Sequence, residues 1–451
     1  QETKTKIEFI NHASVLISFD NISILSDPWY TGPAFNLGWR LIYENENNKI
    51  INTLKKCTHI YISHEHPDHF RPDFFKNPEV IEVLLDKKIK ILFQKTLDKR
   101  VANFLTKVGI EVIEVSKNEK LKLNNDVEIQ ILKYGLYDSC MLMKTPDQKI
   151  LNLNDCPLYN KKELHKFRKK YGEVDILLKQ FSYASGFFGH SKELRTIDAN
   201  ERLENIEKIA EVLNCKTIIP FASFIYFSNE MNFYLNDNIN TPDTVKNYFS
   251  KKKYNVVVLS PGEIQETKNL KQNDESLKFW KDKYHLINSK TKDKYSKSIN
   301  FEELIKEFKK YQERIFKINS AILIKILHKI RLFSFFQPLI IKFSDHNKTY
   351  SYSIIDGLLD LKDNSIKPDI TMHSQALYFI FKYEFGFDTL TVNGCFKTDQ
   401  KGLEKTIKSL SIEILNSMGI KLNLKLIFNF NLIFYFFKNL SALKKKNIEL
   451  A

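Results

Sequence analysis

The segment His64-Glu65-His66-Pro67-Asp68-His69 holds three histidines and an aspartate within six residues. In an extended chain alternate side chains share a face, so His64 and His66 point the same way and can grip one cation, while Asp68 and His69 turn towards a second. Imidazole combined with carboxylate suits iron, zinc or manganese. A solvated polar turn accounts for a single histidine, not for this density at this spacing. The apolar run Thr58-His59-Ile60-Tyr61-Ile62-Ser63 precedes the cluster and reads as a buried strand. Pro67 biases His66 away from helix, so the cluster is expected in a loop at that strand's end.

The elements that must position these residues follow from hydrophobic periodicity. Residues 6–10, 14–19 and 22–25 read as strands of a hairpin with His12 in its first turn and Asp27-Pro28 at its end. After the cluster, helical patterns at 74–85 and 97–108 flank a strand at 89–93. Residues 127–134, 140–144 and 150–154 read as successive strands, the last delivering Asp155 at its end. A strand at 174–178 runs into the small-residue loop Ser182 to His190, flanked by Lys179 and Arg195. A helix at 200–213 and strands at 217–221 and 256–260 complete an α/β domain over residues 1–265. In it, two mixed sheets with outer helices would give a four-layer αββα sandwich. Residues 266–300 are rich in lysine, asparagine and aspartate and read as a charged linker. Residues 301–451 read as a smaller α+β C-terminal domain, helical over 301–330, then with strands at 339–343 and 350–355 and helices near 373–385 and 403–418.

His-x-His-x-Asp-His is the signature of the metallo-β-lactamase fold, and residues 64–69 resemble it without a mismatch. Asn11-His12-Ala13-Ser14 and Ser26-Asp27-Pro28-Trp29 resemble the branch containing N-acylphosphatidylethanolamine phospholipase D, L-ascorbate-6-phosphate lactonase and CMP-N-acetylneuraminate hydroxylase. The ordered set of residues 27–29, 62–69, 150–156 (Ile-Leu-Asn-Leu-Asn-Asp-Cys) and 184–187 (Ala-Ser-Gly-Phe) most resembles the hydroxylase family. The resemblance covers most of residues 1–265 and thins afterwards. It implies one or two divalent metal ions, iron favoured, with His64, His66, Asp68, His69 and Asp155 as ligands and Asp155 bridging. Relatives also supply a third histidine for the first metal and a last histidine on a late strand end. Neither 131–140 nor 221–237 contains a histidine, which leaves Tyr134, Tyr137, Asp138 or His190 as substitutes. Asp68 and His190 are the candidate catalytic groups, and His12, Lys179 and Arg195 the candidate substrate contacts.

The implied chemistry is hydroxylation of a CMP-sialate-type amino-sugar nucleotide. The alternatives are hydrolysis of a phosphodiester, ester or lactone by metal-activated water, and a non-catalytic binding protein with a partial metal site. The hydroxylase family carries a Rieske iron–sulfur domain, which needs paired Cys-x-His and Cys-x-x-His ligands. Cys57-Thr58-His59 is half of that set, inside a strand, and reads as core. Electrons are therefore expected from a separate electron-transfer protein or an upstream segment. The formal charge is +15 over 451 residues, but the lysines are scattered and no nucleic-acid module accompanies them, so the expected partner is a small phosphorylated molecule or sugar nucleotide and not nucleic acid. Five widely spaced cysteines argue for a reducing, cytoplasmic compartment. The apolar stretch 422–437 is interrupted by Asn423, Lys425, Asn429 and Asn431 and reads as too polar to span a bilayer. The aromatic segment 381–395 resembles in outline the C-terminal part of the hydroxylases and, more distantly, sterol-carrier-like domains, with core packing as its expected role.

Overall fold

The computed structural model describes residues 4–135, 137–330, 335–417 and 420–423. The chain divides into two compact units, Gln1–Ala184 with Ser191–Asp293, and Ser185–His190 with Lys294–Ala451. Most of the apolar stretch 422–437 lies outside the described residues. Among the described residues, no helix is long and apolar enough to cross a membrane.

In chain order the first unit contains β1 (Lys6–Asn11), β2 (Ser14–Phe19), β3 (Ile22–Ser26), β4 (Trp39–Leu41), β5 (His59–Ile62), β6 (Lys90–Gln94) and β7 (Val112–Val115). It continues with β8 (Leu121–Lys122), β9 (Glu128–Tyr134), β10 (Asp138–Lys144), β11 (Lys149–Asn154) and β12 (Ile176–Gln180). The last four strands are β13 (Thr217–Phe221), β14 (Ile225–Phe227), β15 (Asn255–Val256) and β16 (Ile264–Glu266). Two seven-stranded sheets result, ordered β16-β1-β2-β3-β5-β6-β7 and β15-β13-β12-β11-β10-β9-β8. Short turns join β1, β2 and β3 as antiparallel neighbours, whereas β3, β5, β6 and β7 are parallel and need crossover connections, which the helices supply.

Strand alternation decides which side chains meet. Ile7, Phe9, Ile17, Tyr61 and Leu92 share one buried cluster with Ile129, Met141 and Leu178 of the second sheet. Ile60, Ile62, Ile91 and Phe93 face the other way and pack on Ile50, Leu54, Val80 and Leu84 of the helices Asn47–Lys56 and Pro78–Asp86. Leu164, Phe167, Leu203 and Ile206 bring the helices Lys161–Tyr171 and Lys192–Val212 onto the second sheet. The unit is a four-layer αββα sandwich of the metallo-β-lactamase type. Its parallel strands β5 and β11 end on the same edge, where Ser63-His64 and Asp155 follow.

Where composition suggested a charged linker at 266–300, the structure has a helix, Asp274–His285, inside the first unit. Trp280 is fully buried, stacks on Phe224 with centroids 4.2 Å apart and donates its indole N–H to Leu259 O at 2.8 Å. One aromatic anchor outweighs the polar composition around it, because a helix needs only one apolar stripe to dock. Arg40 and Asp293 form a two-point ion pair, so the first unit extends to residue 293.

The second unit is a five-stranded sheet, ordered β19-β18-β17-β20-β21, with helices. Its strands are β17 (Leu339–Phe343), β18 (Lys348–Ser353), β19 (Gly357–Leu361), β20 (Ile370–Met372) and β21 (Phe396–Thr398). The last three are absent from the sequence reading: β20 and β21 have only three residues each, and the adjacent Leu358 and Leu359 of β19 break the alternation that marks a half-buried strand. The aromatic segment splits: Phe381 and Phe387 are buried in this unit's core, while Tyr383 and Phe385 are exposed.

Candidate metal centre

Past β5 the chain turns tightly, with His69 N and Phe70 N both donating to His66 O. This turn carries Asp68 and His69 back beneath His64. Ligand atoms of His64, His69 and Asp155 all lie within 4.8 Å of one another, and so do those of His12, Asp68 and His69. His69 Nε2 is 3.1 Å from Asp68 Oδ2 and 3.3 Å from Asp155 Oδ2, and His64 Nε2 is 3.6 Å from Asp155 Oδ2. His66 Nδ1 approaches His64 Nε2 at 3.0 Å. Of the residues proposed as ligands, the structure thus gathers His64, His66, Asp68, His69 and Asp155 in one place.

Two further groups complete the cluster. Asp138, at the start of β10 and one of the four sequence candidates for the missing histidines, puts Oδ1 3.7 Å from His64 Nε2. His12, 1% exposed, puts Nε2 3.3 Å from Asp68 Oδ2, beside the acidic cluster and not out towards a substrate cleft. Behind the cluster Asp27 accepts from Ser63 N and Ser63 Oγ, each at 2.7 Å, and its Oδ2 lies 2.7 Å from His69 Nδ1. A carboxylate on Nδ1 orients the ring so that Nε2 faces the cluster, the arrangement that supports metal-binding histidines.

The electrostatics follow from this crowding. Burial pushes His64 down to about 3, so its imidazole is neutral and available as a donor. Burial also disfavours charge on His69, but Asp68, Asp155 and Asp27 outweigh it and hold His69 well above the ordinary histidine range. Asp155 is held below the usual carboxylate range, because His69 and His64 overcome the cost of its burial. Asp138 is pushed up to about 7, first by burial and then by the charge of Asp155. Oδ1 of Asp68 and Oδ1 of Asp155 are buried and accept no hydrogen bond. Buried carboxylate oxygens that face imidazole donors without a proton partner fit a divalent cation.

The backbone around the cluster is strained. His12 (φ 34°), Asp27 (32°), Asn154 (38°) and Ala222 (48°) all lie in the left-handed region although none is glycine. Such conformations persist where the surroundings over-determine them; here Ala222 N donates to His12 O at 2.8 Å and Asp27 N to Tyr61 O at 2.9 Å. Phe35, Asn36 and Leu37 are left-handed in succession (51°, 52° and 62°), and Phe35 is buried with its ring 5.8 Å from that of His66. Nothing in the sequence singles out Phe35. Asn36, Asn154, Asp27 and His12 carry a weak signal, since asparagine, aspartate and histidine tolerate left-handed backbone, whereas Phe35, Leu37 and Ala222 carry none.

Three candidates lie elsewhere. Lys179 is 1% exposed and donates to Asn154 O at 3.2 Å and Cys156 O at 2.8 Å, so it does not face solvent as a substrate contact would. Arg195 is 5% exposed and pairs with Asp237, its Nη2 2.8 Å from Oδ2, so the phosphate contact expected of it is already met by a carboxylate. His190 belongs to the segment Ser185–His190, which groups with the second unit.

Residues 6–133 match the Beta-lactamase superfamily domain. The match runs from β1 into β9, so it includes the His64–His69 segment but neither Asp138 nor Asp155. The first unit's fold and its cluster of imidazole and carboxylate donors fit a metalloenzyme. Among curated relatives, the chain is similar to cytidine monophosphate-N-acetylneuraminic acid hydroxylase of Asterias rubens, 26% identical over 297 residues, covering 60% of this chain and 43% of that protein. The hydroxylase of Danio rerio is 26% identical over 282 residues, covering 58% and 45%. The chain thus spans less than half the length of these relatives. Among solved structures, CmlA, a diiron beta-hydroxylase from Streptomyces venezuelae, is 16% identical over 59% of this chain and 55% of that one, with a TM-score of 0.43.

Proposed function

We propose that the chain is a metal-dependent hydroxylase of an amino-sugar nucleotide of the CMP-sialate type, drawing electrons from a separate electron-transfer protein. The observation that carries this reading is the donor set. Asp138 stands beside His64 where the hydroxylase branch would supply another histidine, and with Asp68 and Asp155 it makes the cluster rich in carboxylate. Hard oxygen donors with two or three imidazoles favour iron or manganese over zinc. Iron held by these residues supplies one-electron chemistry with molecular oxygen. Inserting one oxygen atom into a C–H bond and reducing the other to water consumes two electrons and two protons, which is the demand the donor protein meets. The chain's own part is positional. Asp27 fixes the His69 ring, His64 stays unprotonated, Asp155 stays ionised, and Asp138 holds a proton or a cation as the charge nearby changes.

The competing reading is hydrolysis. Two adjacent donor groups that share His69 suit a two-ion site, in which a bound water is acidified and Asp68 or Asp155 orients it. Metal analysis of protein purified without oxygen separates the two, with His64→Ala/His66→Ala as control. Iron in the parent, lost in the variant, together with oxygen uptake dependent on CMP-sialate and a reductant, is the expected result. Zinc lost in the same way, with no oxygen uptake, moves the assignment to the hydrolase. Negligible metal in both leaves the binding protein.

A further inference from the structure

Asp155 reaches the donor cluster through an irregular strand end. β11 runs parallel to β12 in step from Ile150↔Ile176 to Asn152↔Leu178, and then pairs Asn154 with Lys179, so Leu153 is an extra residue on one side. Such a bulge turns the following side chain to a new direction, and Asn154 absorbs the turn in left-handed backbone. Asn154 Nδ2 donates to Ser139 O at 3.1 Å, while its Oδ1 accepts from Asp155 N at 2.8 Å.

Lys179 is the bulge's partner on β12. Its ammonium donates to the two carbonyls that bracket Asp155, those of Asn154 and Cys156, and lies 5.1 Å from the Tyr159 ring centroid. Among the described residues, no carboxylate forms an ion pair with it. A lysine with 1% exposure, whose hydrogen bonds go to carbonyls and whose charge also acts on Asp138, is expensive to bury, and a leucine or methionine would fill the space at less cost. Carbonyl oxygens on either side of one residue, held by a single cation, fix that residue's position along the strand and its rotation.

We propose that Lys179 is a positioning residue of the metal centre: it pins the strand end so that Asp155 faces His64 and His69. This rests on the metal-binding reading of the cluster. It replaces the expectation that Lys179 contacts substrate.

The test uses Co(II) as the probe, on the full chain and on Lys179→Met and Lys179→Arg. The parent is expected to bind Co(II) with a defined visible absorption spectrum. Lys179→Met should bind about 10- to 100-fold more weakly, the range seen when groups supporting metal ligands are removed, with a shifted spectrum. Lys179→Arg, which keeps the cation, should recover part of both. Melting curves establish that each variant is folded. An unchanged affinity and spectrum in Lys179→Met overturns the proposal, and so does loss of the fold in both variants, which would assign the lysine to stability. A parent that binds no Co(II) overturns the metal reading itself, an outcome distinct from either.

Discussion

The Asp27 carboxylate never meets the donor atoms directly, yet it sets the face that His69 presents. Asp27→Asn keeps the shape but removes the charge that orients Nδ1–H, and metal affinity should fall about 10-fold or more, measured by titration with iron(II) or Co(II). Asp138 invites the opposite experiment. Asp138→His exchanges an oxygen donor for a nitrogen donor beside His64, and the zinc-to-iron ratio of protein loaded from an equimolar mixture should rise. Asp138→Ala should lower the affinity for both metals. Residue identity alone left Asp138 equal with Tyr134, Tyr137 and His190; what the structure adds is the approach of its Oδ1 to His64 Nε2.

At the level of elements, β5 carries a titratable group of its own. Burial, helped by the nearby Lys90 ammonium, pushes His59 down to about 4. The unfolded chain therefore takes up a proton near pH 6.5 that the native strand refuses until about pH 4. Stability is full above pH 6.5 and falls as the pH drops through that window. The full shift would correspond to about 3 kcal/mol; with the ring partly open to solvent, about 1–2 kcal/mol is expected. His59→Phe should flatten this part of the profile in urea melts at pH 4.5 and 7.5. In the helix Gln400–Leu410, Gly402→Ala would ordinarily add helix propensity. Here the new Cβ would fall 2.0 Å from Asp369 O, so the second unit should lose about 1–3 kcal/mol, read from its melting temperature.

For the whole molecule, separate cores predict separate unfolding. The first unit's core runs through Ile7, Leu178 and Trp280, and the second's through Leu339, Tyr352 and Phe381. Calorimetry should resolve two transitions. Every proposed ligand lies in the first unit, so saturating metal should raise one transition, by about 4 kcal/mol at a thousandfold excess over the dissociation constant, and leave the other in place. A Trp280→Ala substitution should lower the same transition that metal raises, by about 3–5 kcal/mol.

The amino-acid sequence by itself determined the hairpin β1 to β3, the strand β5 and the dense cluster behind it. Period-two alternation and the spacing of the histidines and Asp68 are local properties that need no partner to be visible. It also delivered Asp155 to a strand end. It did not reveal the second unit's short strands, the docked helix around Trp280, or the work of Asp138, Lys179 and Arg195. Those depend on which distant residue lies opposite, and charge in a sequence looks the same whether it faces water, two carbonyls or a carboxylate. Only the packing of two sheets brought His12, Asp138 and Asp155 around His64 and His69, because contacts between residues so far apart along the chain are decided by how strands align, not by their neighbours in sequence.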